Sequence, residues 1–160
     1  MSLAYVGLGS NLDGPRRQVA QAFCELEDIP ATRVLKRSSL YRSEPLGHAE
    51  QPEFVNAVAA LDTALDPEAL LGELQAIEAR HARARSFRNA PRTLDLDLLL
   101  YDDRVHRSAR LELPHPRMHE RAFVLKPLLE LEPAIAVPGR GRAQDLLGAC
   151  AGQRVERSDG

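Results

Sequence analysis

The sequence is poor in cysteine and has no long apolar run. Its 160 residues include two cysteines, Cys24 and Cys150, and no Cys-x-x-Cys pair, which excludes a disulfide scaffold and argues against a structural zinc site. No apolar run approaches the roughly 20 residues that cross a bilayer, and the first residues lack the basic segment of a secretory signal. We therefore expect a cytoplasmic protein with reduced thiols and no membrane partner.

Aromatic residues are also scarce. They make up 4% of the chain, tryptophan is absent, and the isoelectric point is about 6.2. Modules that bind RNA commonly stack bases on aromatic side chains of a basic surface. We therefore expect no nucleic-acid partner. A non-enzymatic RNA-binding module stays an alternative, because ferredoxin-like sheets also stack bases.

Lysine is rare as well, and the basic residues gather in the middle of the chain. Only Lys36 and Lys126 are lysines among 21 basic residues. The net charge is -6 over residues 1–79 and +5 over residues 80–142. The planar guanidinium of arginine binds phosphate through two hydrogen bonds, so an arginine-rich central segment suggests an anionic ligand.

Length and hydrophobic pattern predict a single domain over residues 1–160. Strand-like apolar runs cover residues 3–8, 32–42, 54–61 and 94–101. Apolar residues at helical spacing follow Pro15, and a second helix follows Asp66, which is an N-cap residue in front of proline. The order β-α-β-β-α-β predicts an α+β, ferredoxin-like sandwich with short helices and a hairpin added near the C-terminus.

Several smaller features complete this prediction. Gly7 and Gly9 are interpreted as a tight turn between the first strand and the first helix. The basic residues 82–91 are predicted to form a mobile loop, a short strand is expected near Val105, and Pro127 is expected to interrupt short helical turns within residues 114–132. A last helix is predicted over residues 143–151, followed by a frayed tail over residues 153–160.

The most informative pattern is the alternation of leucine and aspartate in the last predicted strand. Leu94, Leu96, Leu98 and Leu100 share one side of a strand, and Asp95 and Asp97 share the other, about 7 Å apart at Cα. Two such carboxylates repel each other unless cations lie between them. Magnesium takes one or two carboxylates together with phosphate oxygens, so the pair is a candidate metal site. An exposed strand edge, or salt bridges to arginines, would explain the same pattern.

The surrounding arginines favour a nucleotide with its metal ions. Four precede the aspartates and three follow them: Arg83, Arg85, Arg88 and Arg92, then Arg110, Arg117 and Arg121. Cations interleaved with carboxylates suit a polyphosphate. The segment from Gly7 to Asn11 lacks the lysine and the spacing of a P-loop. A two-metal phosphodiesterase is a second alternative.

Other residues suggest a place for a flat ring. Phe54 and Asn56 lie two apart and so on one face of a strand, where they can stack against a heterocycle and bind its edge. Glu78 lies close to the apolar stripe of the second helix. His115 and His119 are four residues apart, but no third zinc ligand accompanies them.

Five ordered motifs resemble one enzyme family, the 6-hydroxymethyl-7,8-dihydropterin pyrophosphokinases. They are Gly9-Ser10-Asn11-Leu12, Pro45-Leu46-Gly47, the segment from Gln51 to Asn56, the segment from Arg88 to Leu99, and the segment from Leu113 to Met118. The resemblance runs from about residue 3 to 140. It departs from the family at Asn89 and Ala90, where many members carry tryptophan and glycine.

The resemblance implies a ferredoxin-like fold, a monomer, and transfer of pyrophosphate from ATP to the reduced pterin with release of AMP, on the way to folate. It implies that Asp95 and Asp97 hold two magnesium ions and are catalytic together with Arg83 and Arg92. It assigns the nucleotide to Gln75, Glu78, Arg85, Leu98, Arg110, His115 and Arg121. It assigns the pterin to Ser43, Pro45, Leu46, Phe54, Asn56 and Phe123, with backbone groups of Ser43 and Leu46 reading the polar edge of the ring.

Overall fold

The computed structural model describes residues 1–11, 14–43, 53–83 and 94–158, except for the side chain of Arg83. The main sheet contains β1 (Ser2–Ser10), β2 (Thr32–Arg37), β3 (Tyr41–Ser43), β4 (Phe54–Thr63), β5 (Asp95–Tyr101) and β10 (Val155–Arg157). Two small hairpins are formed by β6 (His106–Arg107) with β7 (Glu112–Leu113), and by β8 (Ala136–Val137) with β9 (Gly141–Arg142). The helices are α1 (Pro15–Glu27), α2 (Pro67–Arg83), α3 (Ala122–Leu131) and α4 (Ala143–Gly148), with a 3-10 turn at Met118–Glu120.

The main sheet is antiparallel throughout, in the order β10-β3-β4-β1-β5, with β2 also paired to β4. Strand β1 lies in the centre, between β4 and β5. The strand predicted over residues 32–42 is divided in two. Strand β2 pairs with the second half of β4 and β3 pairs with its first three residues. The chain is therefore a mixed α+β protein, as predicted.

Helices α1 and α2 cover one face of this sheet, as their apolar spacing predicts. Val19, Phe23 and Leu26 of α1 pack in one cluster with Leu70 and the other apolar residues of α2. Asp66 caps α2, since its Oδ1 accepts a hydrogen bond of 2.8 Å from the backbone N–H of Ala69. The N-cap prediction is confirmed.

The buried end of α2 is tied to α1 by polar groups. His81 completes the predicted stripe, and its two ring nitrogens contact side-chain oxygens of Gln18 and Glu25 on α1. Hydrogen-bonded partners on both sides allow a polar ring to lie between the helices.

The opposite face packs against α3 and the 3-10 turn. Met118, Val124, Leu128 and Leu131 form a second cluster with Val58 and other sheet residues. The prediction that Pro127 interrupts this segment is wrong, because α3 runs through it for ten residues. A proline inside a helix costs roughly 3 kcal/mol, and the burial of both its neighbouring turns offsets that cost.

Both lysines of the chain donate hydrogen bonds to backbone carbonyls. The Nζ of Lys36 lies 3.0 Å from the carbonyl oxygen of Leu131, at the end of α3. The Nζ of Lys126 lies 2.8 Å from the carbonyl oxygen of Val155. Each ammonium therefore joins α3 to a strand.

Glu130 of α3 joins the helix to β3 through a group of hydrogen bonds. Its carboxylate accepts from the Tyr41 hydroxyl at 2.6 Å and from the backbone N–H of Ser39 at 3.0 Å. Burial by itself would raise the pKa of Glu130, but these hydrogen bonds and the charge of Arg157 outweigh burial and hold the pKa below its ordinary value. Burial and the bond to Glu130 together raise the pKa of Tyr41.

The C-terminal segment is ordered over most of its length. Val155–Arg157 form β10, which pairs with β3, and the backbone N–H of Ser158 donates to the carbonyl of Leu40 at 2.7 Å. The predicted frayed tail is wrong over these residues, because they complete the sheet. The predicted last helix is shorter than expected and ends at Gly148.

Strand β5 contains a bulge that changes which face some leucines occupy. In β1, Val6 pairs with Leu98, and the residue before it, Tyr5, pairs with Leu100. Leu99 is therefore the extra residue, and both Leu99 and Leu100 belong to the cluster on the α3 face. The prediction that Leu100 shares a side with Leu94, Leu96 and Leu98 is wrong for this reason.

No helix in the part of the chain that the structure describes is long and apolar enough to span a membrane. The strand expected near Val105 is β6, which begins at His106.

Candidate functional site

One row of paired residues crosses the sheet on the α3 face and joins the predicted functional residues. Tyr41 pairs with Asn56, Asn56 with Gly9, and Gly9 with Asp95. Paired residues on neighbouring strands project to the same face. Since neighbouring strands lie about 4.8 Å apart, the Cα atoms of Asn56 and Asp95 are separated by about 10 Å. A flat ring bound at Asn56 and a phosphate held at Asp95 can therefore lie side by side.

Glycines form the centre of this face. Gly7 and Gly9 belong to β1 and are not a turn before α1, so that prediction is wrong. The side chain of Leu99 lies over Gly7, where a Cβ would be 3.5 Å from its Cδ1. At Gly9 a Cβ would be 3.1 Å from the Nδ2 of Asn56. The missing side chain at Gly9 leaves room for the Asn56 amide.

Asp95 and Asp97 lie on this face at the start of β5, as predicted, and both are half-buried. They pair with Gly9 and Gly7, so no side chain of β1 separates their carboxylates from the middle of the sheet. Among the described residues no group of three or more His, Cys, Asp and Glu side chains could hold a metal ion. Two carboxylates suit magnesium, which completes its coordination with phosphate oxygens and water.

His115 lies beside the aspartates. Its backbone N–H donates to the carbonyl of Leu99 in β5 at 2.9 Å. Its Nδ1 accepts a hydrogen bond of 3.1 Å from the backbone N–H of Arg117. Burial lowers the pKa of His115, the Asp97 carboxylate acts against this, and the charges of Arg121 and Arg117 lower it further. The lowered pKa favours the neutral ring, and because Nδ1 accepts a hydrogen bond, the proton of that neutral ring lies on Nε2.

The two predicted residues at the start of α3 contact each other. The guanidinium carbon of Arg121 lies 5.6 Å from the centre of the Phe123 ring, a cation-π distance. Phe123 is partly buried against the cluster on the α3 face and against a third cluster, which contains Tyr41, Leu125 and Val155. The contact places a predicted phosphate-binding cation beside a predicted ring-stacking group.

The predicted nucleotide-binding residues of α2 lie beside β5. The Oε2 of Glu78 accepts from the backbone N–H of Leu96 at 2.9 Å. The Oε1 of Gln75 lies 3.4 Å from an Nη of Arg110. The side chain of Leu98 belongs to the core on the helix face, away from the carboxylates. Only the backbone of Leu98 can therefore meet a nucleotide on this edge.

Ser43 and Asn56 form a buried pair next to Phe54. The Ser43 hydroxyl donates to the Oδ1 of Asn56 at 2.6 Å. Phe54 is half-buried, pairs with Ser43, and shares the α3 face with Asn56. The structure thus brings three of the predicted pterin-binding residues together.

A sequence model of the 7,8-dihydro-6-hydroxymethylpterin-pyrophosphokinase (HPPK) family matches residues 5–133. The chain belongs to the HPPK family.

Curated relatives agree along nearly the whole chain. The 2-amino-4-hydroxy-6-hydroxymethyldihydropteridine pyrophosphokinase of Pseudomonas aeruginosa is 49% identical over 156 residues, which are 98% of this chain and 96% of that protein. The protein of the same name from Haemophilus influenzae is 44% identical over 138 residues, 86% of each chain.

Solved structures share the fold at low identity. A crystal structure of an HPPK-DHPS in complex with substrates superposes with a TM-score of 0.71 at 11% identity over 92% of this chain. The chain spans 43% of that longer protein. The similarity therefore concerns the HPPK fold alone.

Some predicted residues lie outside the described ranges. They are Pro45, Leu46, Arg85 and Arg92. The predicted loop over residues 82–91 also falls largely outside them, although α2 continues to Arg83. Their roles stay predictions, and so does the role of Arg83, because the structure does not describe its side chain.

Sequence reasoning missed two features of the site. The sequence pattern predicts Gly9 in a turn, and the family resemblance predicts a role only for the backbone of Ser43. The signal for Gly9 was present, because a glycine inside an otherwise apolar strand often marks a close approach of another group. The Ser43 hydroxyl depends on how β3 and β4 pair, which the sequence pattern does not specify.

Proposed function

We propose that the protein transfers pyrophosphate from ATP to the hydroxymethyl group of 6-hydroxymethyl-7,8-dihydropterin, giving the pterin diphosphate and AMP for folate biosynthesis. Membership of the HPPK family supports this reaction. The observation that carries it in the structure is the row from Asn56 through Gly9 to Asp95, which joins a ring-binding amide to a pair of carboxylates.

In this proposal the pterin lies over the Asn56 end of the row. Phe54 and Phe123 stack on the ring, Asn56 binds its edge, and backbone groups of Ser43, Pro45 and Leu46 complete the subsite. Aromatic stacking with one fixed amide suits a flat, polar-edged heterocycle.

The ATP lies over the Asp95 end. Gln75, Glu78, Arg110 and the backbone of Leu98 hold the nucleoside side. Arg83, Arg85, Arg92 and Arg121 bind the polyphosphate. Asp95 and Asp97 would hold magnesium, two ions per ATP in this proposal, and the metal would supply positive charge beside the transferring group.

The hydroxyl oxygen of the pterin attacks the β-phosphorus. The bond from that phosphorus to the oxygen that bridges to the α-phosphate breaks, AMP leaves with that oxygen, and the hydroxyl proton passes to water. The protein contributes orientation and electrostatic stabilisation, since this chemistry needs little else.

His115 acts as a hydrogen-bond donor in this proposal. Its Nδ1 accepts from Arg117 and its pKa is lowered, chiefly by burial, so its Nε2–H is the group left for the ligand. A neutral donor beside Asp97 binds a phosphate oxygen without forming an ion pair with the carboxylate.

The test is AMP formation from ATP and magnesium with and without 6-hydroxymethyl-7,8-dihydropterin. Wild type should form AMP only with the pterin. Asp97→Asn should lower the rate by about two to three orders of magnitude, the loss typical of a group that stabilises transferring charge. Asp103→Asn is the matched control, because Asp103 is exposed in the turn after β5. Pterin-independent AMP, or full activity of Asp97→Asn, would contradict the proposal.

We further propose a single domain with the ferredoxin-like order of strands. The order β3-β4-β1-β5, with α1 and α2 on one face, supports a split βαβ arrangement. We also propose a monomer, which size-exclusion chromatography would test, and a cytoplasmic location, which the free thiols of Cys24 and Cys150 support.

A further inference from the structure

We propose that the Ser43 hydroxyl is a positioning group that fixes the Asn56 amide, with its carbonyl turned toward β3 and its amino group turned toward the pterin. The inference deepens the proposed function and rests on it, because the pterin is the ligand that the amide faces.

The length of the hydrogen bond indicates which amide atom faces Ser43. The Ser43 Oγ lies 2.6 Å from the Oδ1 of Asn56. Hydrogen bonds between oxygens are commonly 2.5–3.0 Å long, whereas those from an amide nitrogen are about 2.7–3.2 Å. A flipped amide would place its nitrogen closer to the hydroxyl than such bonds normally allow. The carbonyl therefore accepts from Ser43.

Burial makes this hydrogen bond important. Ser43 is 4% exposed and Asn56 is 5% exposed. If the amide flipped, its nitrogen could donate to the Ser43 oxygen, but its buried carbonyl would lose its donor and would have no bulk water to replace it. The pair therefore has one favoured arrangement.

The amino group of Asn56 lies over Gly9. The position of a Cβ at Gly9 would be 3.1 Å from the Nδ2. Within the described parts of the chain, no acceptor is in hydrogen-bond contact with this nitrogen. Gly9 leaves space for the amino group in the row that leads to Asp95.

A fixed amino group can only donate to a ligand. The pterin atom that meets it must be an acceptor, either a carbonyl oxygen or a ring nitrogen without a proton. An amide free to flip would also accept an edge that carries N–H groups. Ser43 therefore restricts the orientation of the ring through Asn56, without touching the reacting atoms.

The experiment measures KM for the pterin and KM for ATP in Ser43→Ala and Ser43→Thr. Ser43→Ala should raise KM for the pterin about tenfold and leave KM for ATP unchanged, because only the amide loses its partner. Ser43→Thr keeps a hydroxyl and should restore KM for the pterin to within about twofold of wild type.

Ser38→Ala is the matched control. Its hydroxyl is also buried, accepts from the backbone N–H of Val58 at 2.8 Å and donates to the carbonyl of Ser39 at 2.8 Å. Loss of this hydroxyl should lower the melting temperature and leave KM for the pterin unchanged. The comparison separates a loss of stability from a loss of ring orientation.

Asn56→Asp tests the same inference from the ligand side. A carboxylate has only acceptor oxygens, so it should lower kcat/KM for the pterin at least about 100-fold while KM for ATP is unchanged. Unaltered KM for the pterin in folded Ser43→Ala, no rescue by Ser43→Thr, or normal use of the pterin by Asn56→Asp would each overturn the inference. A wild type without pterin-dependent AMP formation would instead overturn the proposed function, and the inference with it.

Discussion

The hydrogen bond between Tyr41 and Glu130 gives the sharpest prediction about stability. It is 2.6 Å long, and Tyr41→Phe removes it without changing the shape of the buried ring. A hydrogen bond to a charged group contributes about 1.5–3 kcal/mol. The Glu130 side chain is 26% exposed and keeps its bonds from Ser39, so we expect a loss of about 2 kcal/mol. For a chain of this length that lowers the melting temperature by about 4–8 °C.

The assay is thermal and urea unfolding of wild type, Tyr41→Phe, Glu130→Gln and the double variant. Because the two groups contact each other, the double variant should lose less than the sum of the single losses. Tyr101→Phe is the matched control. Its hydroxyl donates to the uncharged carbonyl of Leu65 at 2.5 Å, so a smaller loss of about 1 kcal/mol is expected.

The dependence on pH provides a second check of the same pair. The pKa of Glu130 is lowered in the folded protein, so the unfolded chain binds its proton at a higher pH. The stabilisation is therefore fully present above the ordinary pKa of a glutamate and is lost as the pH falls through the lowered value. The deficit of Tyr41→Phe should shrink over the same acidic range, and that of Tyr101→Phe should not. Additive losses, or equal pH profiles, would refute the reasoning.

Two further predictions concern the site. Gly9→Ala places a Cβ 3.1 Å from the Asn56 Nδ2, so KM for the pterin should rise about tenfold. Gly72→Ala is the control, because no atom lies within 4 Å of the added Cβ. It should raise the free energy of unfolding by about 1 kcal/mol and leave the kinetics unchanged. If both variants have the same KM for the pterin, the Cβ at Gly9 does not crowd the Asn56 amide. The pKa of His115 is lowered in the folded protein, mainly by burial, so its contribution to stability should fall as the pH drops below about 6.5 toward that lowered pKa. In urea unfolding between pH 7.5 and pH 5, the free energy of unfolding should fall less steeply for His115→Gln than for wild type. Parallel curves would contradict this prediction.

Much of the fold was predictable because its signals are local. The periodicity of Val19, Phe23 and Leu26 identifies α1, and Asp66 marks the start of α2. The alternation of leucine with Asp95 and Asp97 predicts the face on which the carboxylates lie. Each of these depends only on residues a few positions apart, which is the range in which sequence patterns are informative.

The features that sequence reasoning missed depend on distant partners. The bulge at Leu99 is set by pairing with β1, and three successive leucines give no sign of it. Val155–Arg157 carry two charged residues and form a strand only because the edge of β3 is there to pair with them. Pro127 predicts a break, and tertiary packing of α3 overrides that local preference.

The same distinction applies to the site. The residues expected to bind phosphate and a flat ring follow from local sequence patterns and from the resemblance to a family. The relation between Ser43 and Asn56 was not, because it requires the register of β3 against β4. Family motifs therefore predict the site residues, and the pairing of strands brings the Ser43 hydroxyl within hydrogen-bond distance of Asn56.

The absence of a side chain at Gly9 has a consequence for inhibitors. A compound that rests on this part of β1 touches main-chain atoms, which are the same whatever residue is encoded there. Any replacement adds a Cβ that meets the Asn56 amide, so a mutation that blocks the compound also disturbs the natural ligand. Resistance would then have to arise in the surrounding walls, where side chains can change more freely.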